Sequence, residues 1–311
     1  MNLELISFVL LGLSLLLIGA NYLVQSIVEL SEKLKISKLI VATCTLAFGT
    51  TIPELATSLN AILIEPSHPA IAIGNIIGSN IANIFLILGV ASLINPIIFQ
   101  ENKIMLMESK VNLWIIFFPI SIMIFSITGP ISQLISIFMI IFLFLLFYKR
   151  IRIGKIENSS SNNEKAYFSV FLMLILSLLS VLYGSKILIN SSINIAQVFG
   201  VSERFIGLSL VAIGTSLPEL TTAIIASLKK LNDIAIGNVL GANTYNLLGI
   251  LSIVEIIEPS SILKYIENID IYYLMISTFL LIFFIKKVKL LNRGAGFIFL
   301  LSYISYIYLV Y

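Results

Sequence analysis

Apolar runs long enough to cross a bilayer as helices recur from one end of this chain to the other. In lipid, every backbone N–H and C=O must find a partner inside the protein, so only helices and closed barrels can span. Runs of helical rather than strand length select helices. Ten are predicted, near 4–28, 37–63, 69–95, 109–128, 131–150, 166–189, 202–228, 232–256, 268–286 and 294–310. Of the 311 residues, 59% are hydrophobic and 11% charged, with a mean hydropathy of +1.06, too little charge to cover a water-soluble surface. The expected fold is an all-α polytopic membrane protein with ten transmembrane helices.

The placement of charge gives an orientation. Sixteen of the nineteen Lys and Arg residues fall on one side of that span set: Lys33, Lys35, Lys38, Lys103, Lys110, Lys149, Arg150, Arg152, Lys155, Lys165, Lys229, Lys230, Lys286, Lys287, Lys289 and Arg293. The positive-inside rule then predicts a multi-pass cell-membrane protein with both termini extracellular and the loop 153–165 cytoplasmic. Glu4 and the absence of a basic leader predict no cleaved signal peptide. Cys44 is the only cysteine, which excludes an intrachain disulfide.

Two segments nearly repeat. Ala47-Phe-Gly-Thr-Thr-Ile-Pro-Glu54 matches Ala212-Ile-Gly-Thr-Ser-Leu-Pro-Glu219, and Gly74-Asn-Ile-Ile-Gly-Ser-Asn-Ile-Ala-Asn83 matches Gly237-Asn-Val-Leu-Gly-Ala-Asn-Thr-Tyr-Asn246. The polar stretch Lys155–Lys165 separates five spans from five. An odd number of spans per half inverts the second half, so residues 1–152 and 166–311 are predicted to be inverted-topology repeats joined by a linker, 153–165.

A carboxylate at membrane depth is expensive and marks a functional site by default. Glu54 and Glu219 each sit in the middle of a span, one residue after a proline that must kink the helix. Thr50 and Thr215 lie four residues earlier, on the same helix face. Carboxylates, hydroxyls and freed carbonyls are hard oxygen ligands, suited to Na⁺ or Ca²⁺ rather than to a soft metal. Asn83 and Asn246 are the best candidates to face the glutamates, while Asn75, Asn80, Asn238 and Asn243 serve interhelical hydrogen bonding at least as well as ion contact.

These paired motifs, GTTIPELATS and GTSLPELTTA, each followed by GN-x-x-G-x-N-x-x-N, resemble the two alpha repeats of the sodium/calcium exchangers of the calcium/cation antiporter superfamily, prokaryotic type. The resemblance covers the whole chain. It implies Na⁺/Ca²⁺ exchange by alternating access, with Glu54 and Glu219 as central carboxylates. It also implies Thr50, Thr51, Thr215 and Ser216 as hydroxyl neighbours, Ala47 and Ala212 as carbonyl donors, Ser79 as a further hydroxyl, and Asn83 and Asn246 lining the middle. Spans one and six would slide across the core. Two positions depart from the common pattern: Ala242 lacks a hydroxyl often found there, with Thr244 as a substitute, and Asn246 replaces an acidic residue. The expected partners are Ca²⁺, Na⁺ and the lipid bilayer, with no cofactor, nucleic acid or protein partner.

An H⁺/Ca²⁺ or other cation/Ca²⁺ antiporter is the alternative, and a passive cation channel a remoter one. An intramembrane enzyme would need a nucleophile with a base or a metal centre. The sequence has no GxSxG or HExxH motif and only one His and one Cys.

Overall fold

The computed structural model describes residues 3–63, 67–100, 103–117, 130–155, 167–198, 212–259 and 266–310. Its helices are α1 (Leu3–Leu34), α2 (Lys38–Leu63), α3 (Pro69–Ile94), α4 (Lys103–Ile115), α5 (Pro130–Gly154), α6 (Tyr167–Val198), α7 (212–228), α8 (Asn232–Ile257), α9 (Asn268–Val288) and α10 (Arg293–Val310). Among the described residues, eight of these are long and apolar enough to cross a membrane, α4 and α7 being shorter. Parts of the predicted spans at 118–128 and 202–211, and the linker residues 156–165, lie outside the described residues. Besides an isolated bridge between Ile36 and Lys155, one two-stranded pairing is present among the described residues. Ile97–Ile98 (β1), after α3, pairs antiparallel with Leu290–Leu291 (β2), between α9 and α10.

The helices divide by environment. In the apolar stretches of α3 and α8, 78% of residues are buried, against 17% in α5 and 22% in α10. With α2 and α7, these two make a core whose interior carries Thr50, Glu54, Ser58, Asn80, Asn83, Glu219, Thr222, Asn238 and Asn246, all buried. Gly237 and Gly241 show why α8 approaches α2 so closely. A Cβ at Gly237 would stand 2.5 Å from the Leu39 carbonyl oxygen, and one at Gly241 would stand 2.5 Å from that of Thr43. Small residues at four-residue spacing let two helix backbones nearly touch, which replaces hydrophobic drive in a lipid solvent.

Helices α1 and α6 form a separate pair with wide lipid-facing surfaces, Leu10, Leu17, Phe171 and Leu176 among them. They cross at glycines. A Cβ at Gly184 would meet Leu16 N at 2.7 Å, and Ser180 Oγ donates to the Leu15 carbonyl at 2.8 Å. Both helices outrun their predicted ends at 28 and 189, and polar residues beyond those ends, Ser31 in α1 and Ser191 in α6, are buried.

Arg150 has a buried partner that the charge pattern alone does not show. Counted by sequence among the cytoplasmic charges, it is fully buried. Its guanidinium grips Glu108 of α4 through Nε–Oε1 at 2.8 Å and Nη2–Oε2 at 2.7 Å, and Nη2 also donates to Thr244 Oγ1 of α8 at 2.9 Å. Glu108 lies inside α4, which starts at Lys103 rather than at the predicted 109. The carboxylate is tolerated inside because a bidentate partner satisfies it. Removing one member of such a pair strands the other. Arg150→Met is therefore expected to cost about 3–5 kcal/mol, read as a lowered melting temperature of the detergent-solubilised protein. A Glu108→Leu/Arg150→Met double variant should recover most of that loss, and failure to recover would mean that the Thr244 contact dominates.

Candidate functional site

The glutamates enter the core through matched breaks in α2 and α7. Thr51 leaves helical geometry with φ −81° and ψ 3°, and Ser216 does so with φ −86° and ψ 4°. Each break lies two residues before the proline, Pro53 or Pro218, which cannot donate to the preceding turn. Glu54 and Glu219 follow in the first turn of the restarted helix, each 1% exposed.

The surrounding oxygens fall into two groups. In the first, hydrogen bonds are made within the protein. Thr50 Oγ1 donates to Asn238 Oδ1 at 3.2 Å and is also within hydrogen-bonding reach of the Glu219 carboxylate. Thr215 Oγ1 donates to Asn75 Oδ1 at 3.2 Å. Thr51 Oγ1 donates to the Phe48 carbonyl at 3.2 Å. The Ala47 carbonyl accepts from Thr51 N at 3.1 Å. The Gly214 carbonyl, which Pro218 leaves without its helical donor, accepts from Ser185 Oγ of α6 at 3.2 Å. In the second group, buried polar atoms have no hydrogen-bond partner: Glu54 Oε2, both carboxylate oxygens of Glu219, Ser216 Oγ, Asn83 Oδ1, and both polar atoms of the Asn246 amide. Orphaned polar atoms at such depth are costly, and six of these seven are oxygens. A cation held among them would satisfy two carboxylates and several neutral oxygens together.

The remaining candidates are placed as follows. Ser79 is buried on α3, one turn before Asn83. Ala212 begins the described part of α7. Asn83 opens a π-helical stretch, Asn83–Leu88, and Asn246 lies in another, Tyr245–Ile250. Such widened turns re-aim side chains and cluster at functional sites. Asn83 Nδ2 donates to Asn243 Oδ1 at 2.9 Å, which leaves the Asn83 oxygen for another partner. Ala242 packs on Ala47 and Tyr245, so its methyl lies against the α2 segment that carries Thr50. Thr244 does not replace the missing hydroxyl. It donates to the Leu240 carbonyl at 2.8 Å and accepts from Arg150.

Ser58 and Thr222 were not singled out by sequence, yet both join the network. Ser58 Oγ accepts from Asn75 Nδ2 at 3.0 Å, and Thr222 Oγ1 accepts from Asn238 Nδ2 at 3.0 Å. Their spacing held a signal. Ser58 is four residues after Glu54 and Thr222 three after Glu219, on the glutamate face of each helix.

Comparison with known proteins gives the family. The family model described as sodium/calcium exchanger protein matches residues 4–151 and 169–311. A putative antiporter, CaxA, of Alkalimonas amylolytica is 31% identical, with 98% of each chain covered. The sodium/calcium exchanger MaX1 of Methanosarcina acetivorans is 27% identical, with 97% of each covered. A solved structure of the sodium-calcium exchanger NCX_Mj superposes with a TM-score of 0.85 at 30% identity, covering 99% of this chain and 98% of the other. The chain is a multi-helix membrane protein that belongs to the sodium/calcium exchanger family.

Proposed function

We propose that this protein is a secondary active antiporter that exchanges Na⁺ for Ca²⁺ by alternating access, with both ions competing for oxygens around Glu54 and Glu219. The observation that carries the proposal is the pair of buried carboxylates, brought together by two broken helices and ringed by oxygens without partners. Two ionised carboxylates balance one Ca²⁺. With Ca²⁺ gone, Na⁺ ions are the cargo that keeps the charge tolerable on the return step. Thr50, Thr51, Thr215, Ser216, Ser79, Asn83, Asn246 and the carbonyls of Ala47 and Ala212 complete the proposed ligand set.

The matched geometry supports an inverted repeat. The break at Thr51 corresponds to that at Ser216, and the Thr50–Asn238 bond corresponds to Thr215–Asn75. Ten spans in two inverted halves then place both termini outside and the 153–165 loop in the cytoplasm. The α1–α6 pair, joined to itself by close glycine crossings, is suited to slide as a unit across the core.

Radiolabelled Ca²⁺ uptake into proteoliposomes loaded with Na⁺, K⁺ or H⁺ in turn tests the counter-ion. Uptake driven by an outward Na⁺ gradient is expected. Uptake driven by H⁺ alone would favour a proton/calcium antiporter, and Ca²⁺ entry without counterflow would indicate a channel. Glu54→Gln and Glu219→Gln should each abolish exchange while leaving the folded protein intact by size-exclusion chromatography. Near-wild-type transport in either would remove the glutamates from the site.

If three Na⁺ exchange for one Ca²⁺, as the family resemblance implies, each cycle moves one net charge. That charge couples to voltage at about 2.3 kcal/mol per 100 mV. A valinomycin-imposed potential should then change the exchange rate, and indifference to voltage would rule out that stoichiometry. At position 242 the methyl lies against Ala47, so Ala242→Ser offers a hydroxyl to a Na⁺ there. It should lower the half-saturating Na⁺ concentration several-fold, equivalent to about 1 kcal/mol for one added polar contact, with little change for Ca²⁺. An unchanged Na⁺ titration would place position 242 outside the ligand set.

A further inference from the structure

We infer that Asn238 and Asn75 are positioning residues that take the hydroxyl hydrogens of Thr50 and Thr215, so that oxygen lone pairs, not hydrogens, face the cation between Glu54 and Glu219. The inference rests on the exchange function proposed above.

The direction of each hydrogen bond follows from what its neighbours can donate. Thr222 has one hydroxyl hydrogen, and it is shared between the carbonyls of Pro218 at 2.9 Å and Glu219 at 3.0 Å. Toward Asn238, 3.0 Å away, Thr222 therefore acts as an acceptor, and the group facing it must be the amide nitrogen. That fixes the amide. Its oxygen points at Thr50 Oγ1, 3.2 Å away, and an amide oxygen only accepts. Thr50 has to donate. The Ala47 carbonyl, at 3.4 Å, is a second acceptor for the same hydrogen.

The other half reaches the same result by a different route. Both hydrogens of the Asn75 amide nitrogen are engaged, on the Glu54 carbonyl at 3.1 Å and on Ser58 Oγ at 3.0 Å. The Asn75 oxygen is left to accept from Thr215 Oγ1 at 3.2 Å. Each asparagine thus ties α2 to α7, Asn238 from α8 and Asn75 from α3.

The chemical consequence is at the carboxylates. Thr50 lies within hydrogen-bonding reach of the Glu219 carboxylate. A hydroxyl that gave its hydrogen wholly to that carboxylate would satisfy it without any ion and withdraw an oxygen ligand from the cation. The Asn238 oxygen, 3.2 Å away, competes for the same hydrogen, and neither Glu219 oxygen has a hydrogen bond of ordinary geometry. The network is the counterpart of the outer hydrogen bonds that fix the orientation of ligands around a bound metal. It also explains an amide rather than a carboxylate at 75 and 238. Aspartate could accept from threonine but could not donate to Thr222 or Ser58.

A double-mutant cycle tests this. The full-length protein is purified as wild type, Asn238→Leu, Thr50→Val and the double variant. Half-saturating Ca²⁺ and Na⁺ are read from the cation-induced rise in melting temperature. Asn238→Leu alone should raise half-saturating Ca²⁺ about ten-fold or more, the usual loss when an outer partner of a metal ligand is removed. In the Thr50→Val background it should add less than about two-fold, because the hydroxyl through which it acts is gone. Penalties that simply multiply, or an Asn238→Leu protein with wild-type affinity, overturn the positioning role. Should Asn238→Leu fail to fold, Thr222→Val unlocks the amide without touching it, and the same cycle with Thr50→Val gives the same decision. Proteoliposome flux separates the two levels. A wild type that binds Ca²⁺ but moves none overturns the proposed function, whereas a wild type that exchanges while the penalties multiply overturns only the positioning role.

Discussion

Two carboxylic acids, Glu54 and Glu219, are buried in one membrane-protein core, and each has left water to get there. The rest of the core is arranged around that pair. Helices α2 and α7 break at the same place and α3 and α8 close over the breaks, with Gly237 and Gly241 letting α8 lie against the backbone of α2. Asn75 and Asn238 cross-link the two broken helices with hydrogen bonds to side chains and carbonyls. Those ties hold the two breaks, and the glutamates that follow them, in one fixed arrangement.

The Glu108–Arg150 pair shows the opposite solution to the same problem. There a buried carboxylate has a bidentate guanidinium, and Thr244 fills a further position. A charge satisfied by its own protein is static and serves packing, even where its net contribution to stability is small. Glu219 has neither carboxylate oxygen satisfied. Under the proposed function, an unpartnered carboxylate in a dry core is what a mobile cation would occupy and leave. The two acids are equally buried and differ in their partners.

The peripheral helices have a different relation to this centre. Ser185 of α6 reaches the Gly214 carbonyl beside the α7 break, and Leu178 of the same helix packs on Gly49 beside the α2 break. The α1–α6 pair therefore touches both breaks while exposing most of its surface.

Much of this was legible in the sequence. The apolar runs located the helices, because lipid leaves the backbone no other choice. The duplicated Gly-Thr-x-x-Pro-Glu segments marked both breaks and both carboxylates, because proline's missing N–H and a midplane charge are local facts that need no fold. The asparagines stood out for the same reason, as polar side chains in apolar helices. What sequence could not decide was pairing. Arg150 looks like one more cytoplasmic charge until α4 brings Glu108 to it. Thr244 looks like a spare ligand until Arg150 claims it. Nothing along the chain says that Asn238 joins Thr50, 188 residues away, to Thr222. A hydroxyl or an amide can give or take a hydrogen bond, and only the neighbours assembled by the tertiary fold determine which.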